Sequence, residues 1–482
     1  MATLKDLEGA ARLLDWDRET TMPATGAAAR GHQVATIRSL RHRELLRPGI
    51  TDDLDALEQD GDGTPAELAM IRLARREIDR AARVPEDLVR ASTEAASDAV
   101  AAWLDCRPRS DFASFEPHLE RVVALARETG DAIGAGAEAY DSLLDDFEPG
   151  ATTAQIEALF GELRRTLSGI VEGVDTTPPE PPVFSARVWP DRAQLALAED
   201  VARLVGFDLD SGLITLSAHP FTDSPHAGDV RFTTRLTSSD PTANVLVTLH
   251  EAGHALYAQG LDPALDRTLL FGSPSLGADE SQSRFFENHL GRRLAFWELV
   301  QPMFRARFGA TTDGITAGAF HRSVTRVQRS WCRVDSDEVT YDLHIILRFD
   351  LELALIRGDL RVADLPGAWR EGSEALLGVT PANDAEGCLQ DIHWAWGMFG
   401  YFPTYTLGNI YAAQLAEALE VAEGPLDDLI RGGRLDVVLG FMRDRVHRHG
   451  STYATPELME RATGAPFSTE PFVRRIAALA AD

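Results

Sequence analysis

Lysine is nearly missing from this chain: Lys5 is the single lysine among 482 residues, and every other basic side chain is Arg or His. Basic charge is short altogether, with 47 Lys and Arg against 75 Asp and Glu and a formal net charge of −28. A surface of that sign repels phosphate backbones and anionic headgroups, which argues against nucleic acid and membrane surfaces as partners. The same imbalance fits a salt-adapted protein whose self-repulsion is screened by salt. A GC-rich coding sequence also produces an Arg bias, and activity measured at low salt separates the two readings. Cysteine is scarce too. Cys106, Cys332 and Cys388 are odd in number, far apart and without CxxC spacing, so no disulfide framework is expected and the compartment should be a reducing one. No stretch approaches 18 uncharged apolar residues, the minimum for a spanning helix. The N-terminal MATLKDLEGAARLLDWDRE is charged throughout and lacks an apolar signal core, so a cytoplasmic location is expected.

What is present is an ordinary globular composition, 44% hydrophobic and 7% aromatic, in a chain long enough to bury a large core. Apolar residues recur at three and four over Leu4–Leu14, Gly26–Leu46, Thr64–Ala82, Pro85–Leu104, Phe112–Tyr140, Thr153–Glu172 and Asp191–Val205, the last two flanking a Pro-rich connector, Thr176–Pro190. Near Gly212 the period changes. Ile214, Leu216, Val230, Phe232 and Leu236 predict short strands joined through HPFTDSPHAGD, either as a structural hairpin or as an edge open to an extended peptide. Helical patterning resumes over Asp279–Phe308, Thr316–Cys332, Ser336–Arg357, Leu365–Gly378, Asn409–Ala422, Leu426–Arg431, Leu435–Arg448 and Pro456–Ala462. The expected fold is mainly α, one large helical body with a deep central groove and a small β-sheet beside the helix described next. A single domain, 1–482, is expected, with a helical N-terminal part about 1–205, a catalytic core about 206–410 and C-terminal helices 411–482.

The rest of the chain is organised around VLVTLHEAGHALYA, from Val245 to Ala258. Asp240-Pro241 offers a cap and a first-turn Pro, and Gly260 a stop, so the segment reads as a helix. His250 and His254, one turn apart, leave the same face and can reach one zinc ion at about 2.0–2.1 Å. Glu251 projects beside them as a general base, the HExxH arrangement of metallopeptidases. Gly253 between the ligands reads as room for metal or substrate. A third ligand should fold back from the following helix, where Asp279, Glu280 and Glu287 all stand, or serve the helix dipole instead. Glu280 is best placed if the loop makes a simple hairpin.

Several separated motifs then share one order: His219-Pro220-Phe221, DVRFTTR from Asp229, HEAGH, ESQSRFFEN from Glu280, RVDSDEVTYDLHIILR from Arg333, GCLQDIHW from Gly387 and GYFPTYTLGN from Gly400. With LLDWDRETTMP and HRHGSTYATPELMERATG they resemble the carboxypeptidase Taq family of metallocarboxypeptidases over nearly the whole chain. The resemblance implies a helical, homodimeric exopeptidase that uses zinc, or Co2+ or Mn2+, and removes single residues from peptide C-termini. It implies His250, His254 and Glu280 as metal ligands, with a metal-bound water as nucleophile and Glu251 as its general base.

A peptide carboxylate calls for a bidentate Arg. Arg333 is the first choice and Arg348 the second, unless either pairs with Asp335, Asp337 or Asp350. His219 is a candidate oxyanion donor and Tyr405 a substrate-holding residue, unless they merely pack; His393 and Trp394 receive no role. The chain departs from the family pattern at Asp279, where a His is usual, and at Cys332 and Ser336. The competing readings are a zinc endopeptidase or aminopeptidase, and a non-catalytic peptide binder on the same scaffold.

Overall fold

The computed structural model describes residues 1–174, 182–217 and 219–481. The first part of the Pro-rich connector, residues 176–181, lies outside them. The fold is mainly helical, with twenty α-helices and one three-stranded sheet among the described residues. The chain divides into two compact units, each assembled from separated segments. The first comprises Met1–Ala81, Glu180–Thr325 and Gly408–Ser468; the second comprises Ala82–Pro179, Arg326–Leu407 and Thr469–Asp482.

In the first unit the sheet runs β1 (Gly212–Leu216), β2 (Thr222–His226) and β3 (Asp229–Thr234), in the order β1-β3-β2. β1 pairs with β3 in parallel, and β2 with β3 antiparallel. β3 is central because its alternation buries Val230, Phe232 and Thr234 completely. Thr234 lies within 3.0 Å of the Thr248 hydroxyl and accepts from Asn244 Nδ2 at 3.0 Å, which ties the sheet to the Pro241–Gly260 helix.

That helix starts as its sequence dictates. Asp240 accepts from Thr242 N at 2.9 Å, and Pro241 takes the first helical position, where a missing N–H costs nothing. Its interior is nearly all buried, Val245, Leu249, Ala252, Ala255 and Leu256 without exposed surface. A Cβ on Gly253 would stand 2.6 Å from Gln282 O and Ser283 Cα, closer than real Cβ atoms come. Gly253 therefore makes room for the backbone of the Leu276–Arg284 helix rather than for metal or substrate. Gly408 has the same role on another side: its Cβ would meet Glu280 Cβ at 2.7 Å.

Long sequence patterns break where local chemistry interrupts them. Phe112–Tyr140 divides into Phe112–Ile133 and Ala139–Leu144, because Gly134 turns left-handed at φ +57°. Asp279–Phe308 becomes Leu276–Arg284, capped by Ser275, then a π-type turn over Phe285–Leu290 and a new helix over Leu294–Phe308. In the second unit Ser336–Arg357 begins only at Tyr341, since the Asp337 carboxylate accepts from Val339 N and Thr340 N just before it. Thr316–Cys332 stops at Val324, which leaves Arg333 on irregular backbone. Strand β2 and the helices Ile50–Asp60 and Glu470–Ala481 add to the elements read from sequence.

Candidate metal centre

Three side chains of the first unit converge. Ligand atoms of His250, His254 and Glu280 all lie within 4.8 Å of one another. Glu280 Oε2 stands 3.2 Å from His254 Nε2 and 3.9 Å from His250 Nε2. Two donors at 2.0–2.1 Å from a tetrahedral centre are about 3.3 Å apart, so the set has the spacing of a cation site. The opposite ring nitrogens are engaged as well: His250 Nδ1 lies 2.9 Å from Glu287 Oε2, and His254 Nδ1 lies 3.0 Å from Asp279 Oδ2. Each imidazole thus directs Nε2 inward.

Charge supports the fit. Glu287 is paired with Arg284 and Arg292, and Glu280 with Arg284. With Glu251 and Asp279, four carboxylates face two guanidiniums, a deficit that a divalent cation balances. Burial favours the neutral acid at Glu287, but Arg284 and His250 outweigh it and hold the carboxyl down at about 2. Glu280 is held below the usual carboxylate range in the same way, His250 and His254 overcoming its burial. At His254 burial disfavours a proton, yet Asp279 and Glu280 raise the ring's affinity for positive charge well above its ordinary value.

Glu251 is 6% exposed, and burial, opposed by His250 and His254, pushes its carboxyl up. Its Oε2 accepts from Thr222 Oγ1 at 2.7 Å. Thr222, on edge strand β2, is a neighbour that sequence reasoning missed, although it directly follows His219-Pro220-Phe221. His219 itself is exposed on the turn before β2, where its carbonyl accepts from Ser217 Oγ at 2.7 Å.

The second unit brings together the other expected residues. Arg333 donates Nε and Nη2 to Asp391 Oδ1 at 3.0 and 2.8 Å, and Arg348 donates Nε to Asp391 Oδ2 at 2.7 Å. Both guanidiniums therefore share Asp391, not the Asp335, Asp337 or Asp350 considered from sequence; Asp350 pairs with Arg164 at 2.6 Å. Burial of Asp391 favours its neutral form, but the two arginines hold it ionised, far below its ordinary range. Arg333 Nη1 also reaches Tyr341 Oη at 3.2 Å, and its guanidinium lies 5.1 Å from the ring centroid of Tyr405. Arg348 has no exposed surface. Trp394 gains a part: with Tyr140 Oη and Gly400 N it donates to the buried Glu352, whose carboxyl burial pushes up to about 7. Asp391 sits in the GCLQDIHW motif, which was the available signal for it.

The family model for carboxypeptidase Taq (M32) metallopeptidases matches residues 1–479. The chain belongs to the M32 family. It is 39% identical over 478 residues to thermostable carboxypeptidase 1 of Thermus thermophilus, covering 96% of this chain and 93% of that one. It is 33% identical to carboxypeptidase 1 of Bacillus subtilis, covering 94% and 91%. The fold is similar to the crystal structure of the M32 carboxypeptidase from Deinococcus radiodurans R1, with a TM-score of 0.95, 36% identity and coverage of 100% and 98%. Metallocarboxypeptidase 1 of Trypanosoma cruzi gives 0.93 at 34% identity, covering 100% and 98%. This M32 protein is accordingly a metallocarboxypeptidase, a hydrolase that depends on a divalent metal. No helix among the described residues is long and apolar enough to cross a membrane.

Proposed function

We propose that the enzyme removes single residues from peptide C-termini, with His250, His254 and Glu280 holding the cation and Glu251 moving the proton. The observation that carries this reading is the convergence of both Nε2 atoms on Glu280 Oε2, with Glu251 on the same helix. Zinc is the resident cation of the reading, with Co2+ or Mn2+ as substitutes, since two imidazoles and one carboxylate suit all three. When bound, such a cation supplies Lewis acidity to a carbonyl and acidity to water.

The chain's own residues supply the rest. Glu251, buried and steadied by Thr222, takes a proton from water at Oε1 or Oε2 and returns it to the leaving amine. Arg333 holds the substrate's terminal carboxylate. Two guanidiniums against the one Asp391 leave a buried positive charge that an incoming carboxylate neutralises. Arg348 acts through Asp391, and Tyr405 lies beside the Arg333 guanidinium. His219 donates to the developing oxyanion.

The reading includes a homodimer, which sedimentation tests, and a cytoplasmic location, supported by three cysteines that are all free thiols. An N-terminally blocked peptide, followed by mass spectrometry, tests the activity. Stepwise C-terminal shortening by wild type, with Glu251→Gln retaining metal but losing turnover by orders of magnitude, is the expected result. Internal cleavage, or equal inertness of both metal-loaded proteins, overturns it.

A further inference from the structure

A neutral imidazole has one nitrogen that donates and one that accepts, so its ligand nitrogen is set by whatever holds the other N–H. For His250 that partner is Glu287, buried and pinned by Arg284 and Arg292. For His254 the facing carboxylate is Asp279, whose Oδ2 lies 3.0 Å from Nδ1 without the alignment of a formed hydrogen bond. The two carboxylates differ in a further respect. Asp279 is about a third exposed, with 30% of its side-chain surface accessible, and among the described residues no guanidinium pairs with it. Its charge is therefore spent on His254 alone.

We propose that Asp279 is a positioning residue of the metal centre: its carboxylate, close against Nδ1 of His254, keeps the ring's N–H on that side, turns Nε2 toward the cation and sets how tightly the cation is held. This rests on the reading of His250, His254 and Glu280 as ligands. Asp279 occupies the first turn of the Leu276–Arg284 helix, where an acid also steadies the helix dipole. The two roles predict different results, because a dipole effect acts on helix stability and an orienting carboxylate acts on the imidazole.

The test uses the full chain stripped of metal, with Zn2+ affinity measured by competition against a chromogenic chelator at fixed pH. Asp279→Ala should bind zinc about 10–100-fold more weakly than wild type, the usual cost of removing an outer partner of a ligating His. Asp279→Asn, whose amide oxygen can still accept Nδ1–H, should lose clearly less. The melting temperature of the metal-free proteins should be nearly the same for all three. Wild-type zinc affinity in Asp279→Ala, with or without a lowered melting temperature, overturns the proposal, as does equal weakening in Asn and Ala. His254→Ala keeps the two readings apart: it should abolish tight zinc binding, and if it does not, the ligand assignment falls whatever Asp279 does.

Discussion

The hydroxyl of Thr222 lies 2.7 Å from Glu251 Oε2 and 3.0 Å from the main-chain carbonyl of the same residue. An edge strand and the HExxH helix thus meet at the carboxylate proposed as the general base. Thr222→Val keeps the shape and removes the donor. A hydrogen bond to a charged group contributes about 1.5–3 kcal/mol, so kcat should fall about 10–100-fold, with zinc stoichiometry unchanged. Steady-state kinetics beside metal analysis check this, and an unaltered kcat refutes it.

Gly253 separates two helices by almost nothing. Gly253→Ala would put Cβ 2.6 Å from the backbone at Gln282 and Ser283, where no flexible side chain can yield. Overpacking of this kind costs about 1–3 kcal/mol, and the displaced helix carries Glu280. The variant should melt at lower temperature and bind zinc more weakly. A protein that binds zinc as wild type would show that the helices separate without moving Glu280.

Asp391 is the shared counter-charge of Arg333 and Arg348. Removing one member of a buried ionic cluster costs about 3–5 kcal/mol, because the partners stay charged. Asp391→Asn should therefore destabilise the protein by that order, seen in the thermal midpoint. Unchanged stability would mean that the two guanidiniums find other partners.

His447 stacks on Tyr257 at 5.0 Å and donates Nε2–H to Gln282 Oε1 at 2.9 Å. Burial, aided by Arg443, pushes its ring down to about 3. The unfolded chain takes this proton below its ordinary 6.5, and the folded chain does so only near 3. Its contribution is whole above pH 6.5 and shrinks as pH falls, by about 2 kcal/mol between pH 6.5 and 5. His447→Gln should flatten that part of the stability–pH curve by about one proton. Parallel curves for variant and wild type would refute it.

Legibility in the sequence followed how local the cause was. The HExxH helix could be read residue by residue because its cap, first-turn Pro and both histidines lie within one short stretch. Spacing alone could single out Glu280 among three acids only by assuming a hairpin, the family resemblance adding its weight, and the acids on either side proved to face the outer ring nitrogens. Thr222 and Asp391 were not read, since each acquires its meaning from a partner far away in the chain. Gly253 was misread for the same reason: what it avoids is a backbone that sequence does not show beside it. The single helices expected over Asp279–Phe308 and Phe112–Tyr140 ran past the π-type turn and the left-handed glycine that interrupt them.

The close approach at Gly253 and Gly408 has a further consequence. The helix that carries Glu280 is hemmed in twice, at Gln282 and Ser283 by Gly253 and at Glu280 itself by Gly408. The backbone from which Glu280 projects is thereby set by steric interlock, whichever cation is present. Exchange of one cation for another should then be a reversible substitution within a rigid receptacle, so that preparations of differing metal content interconvert without refolding.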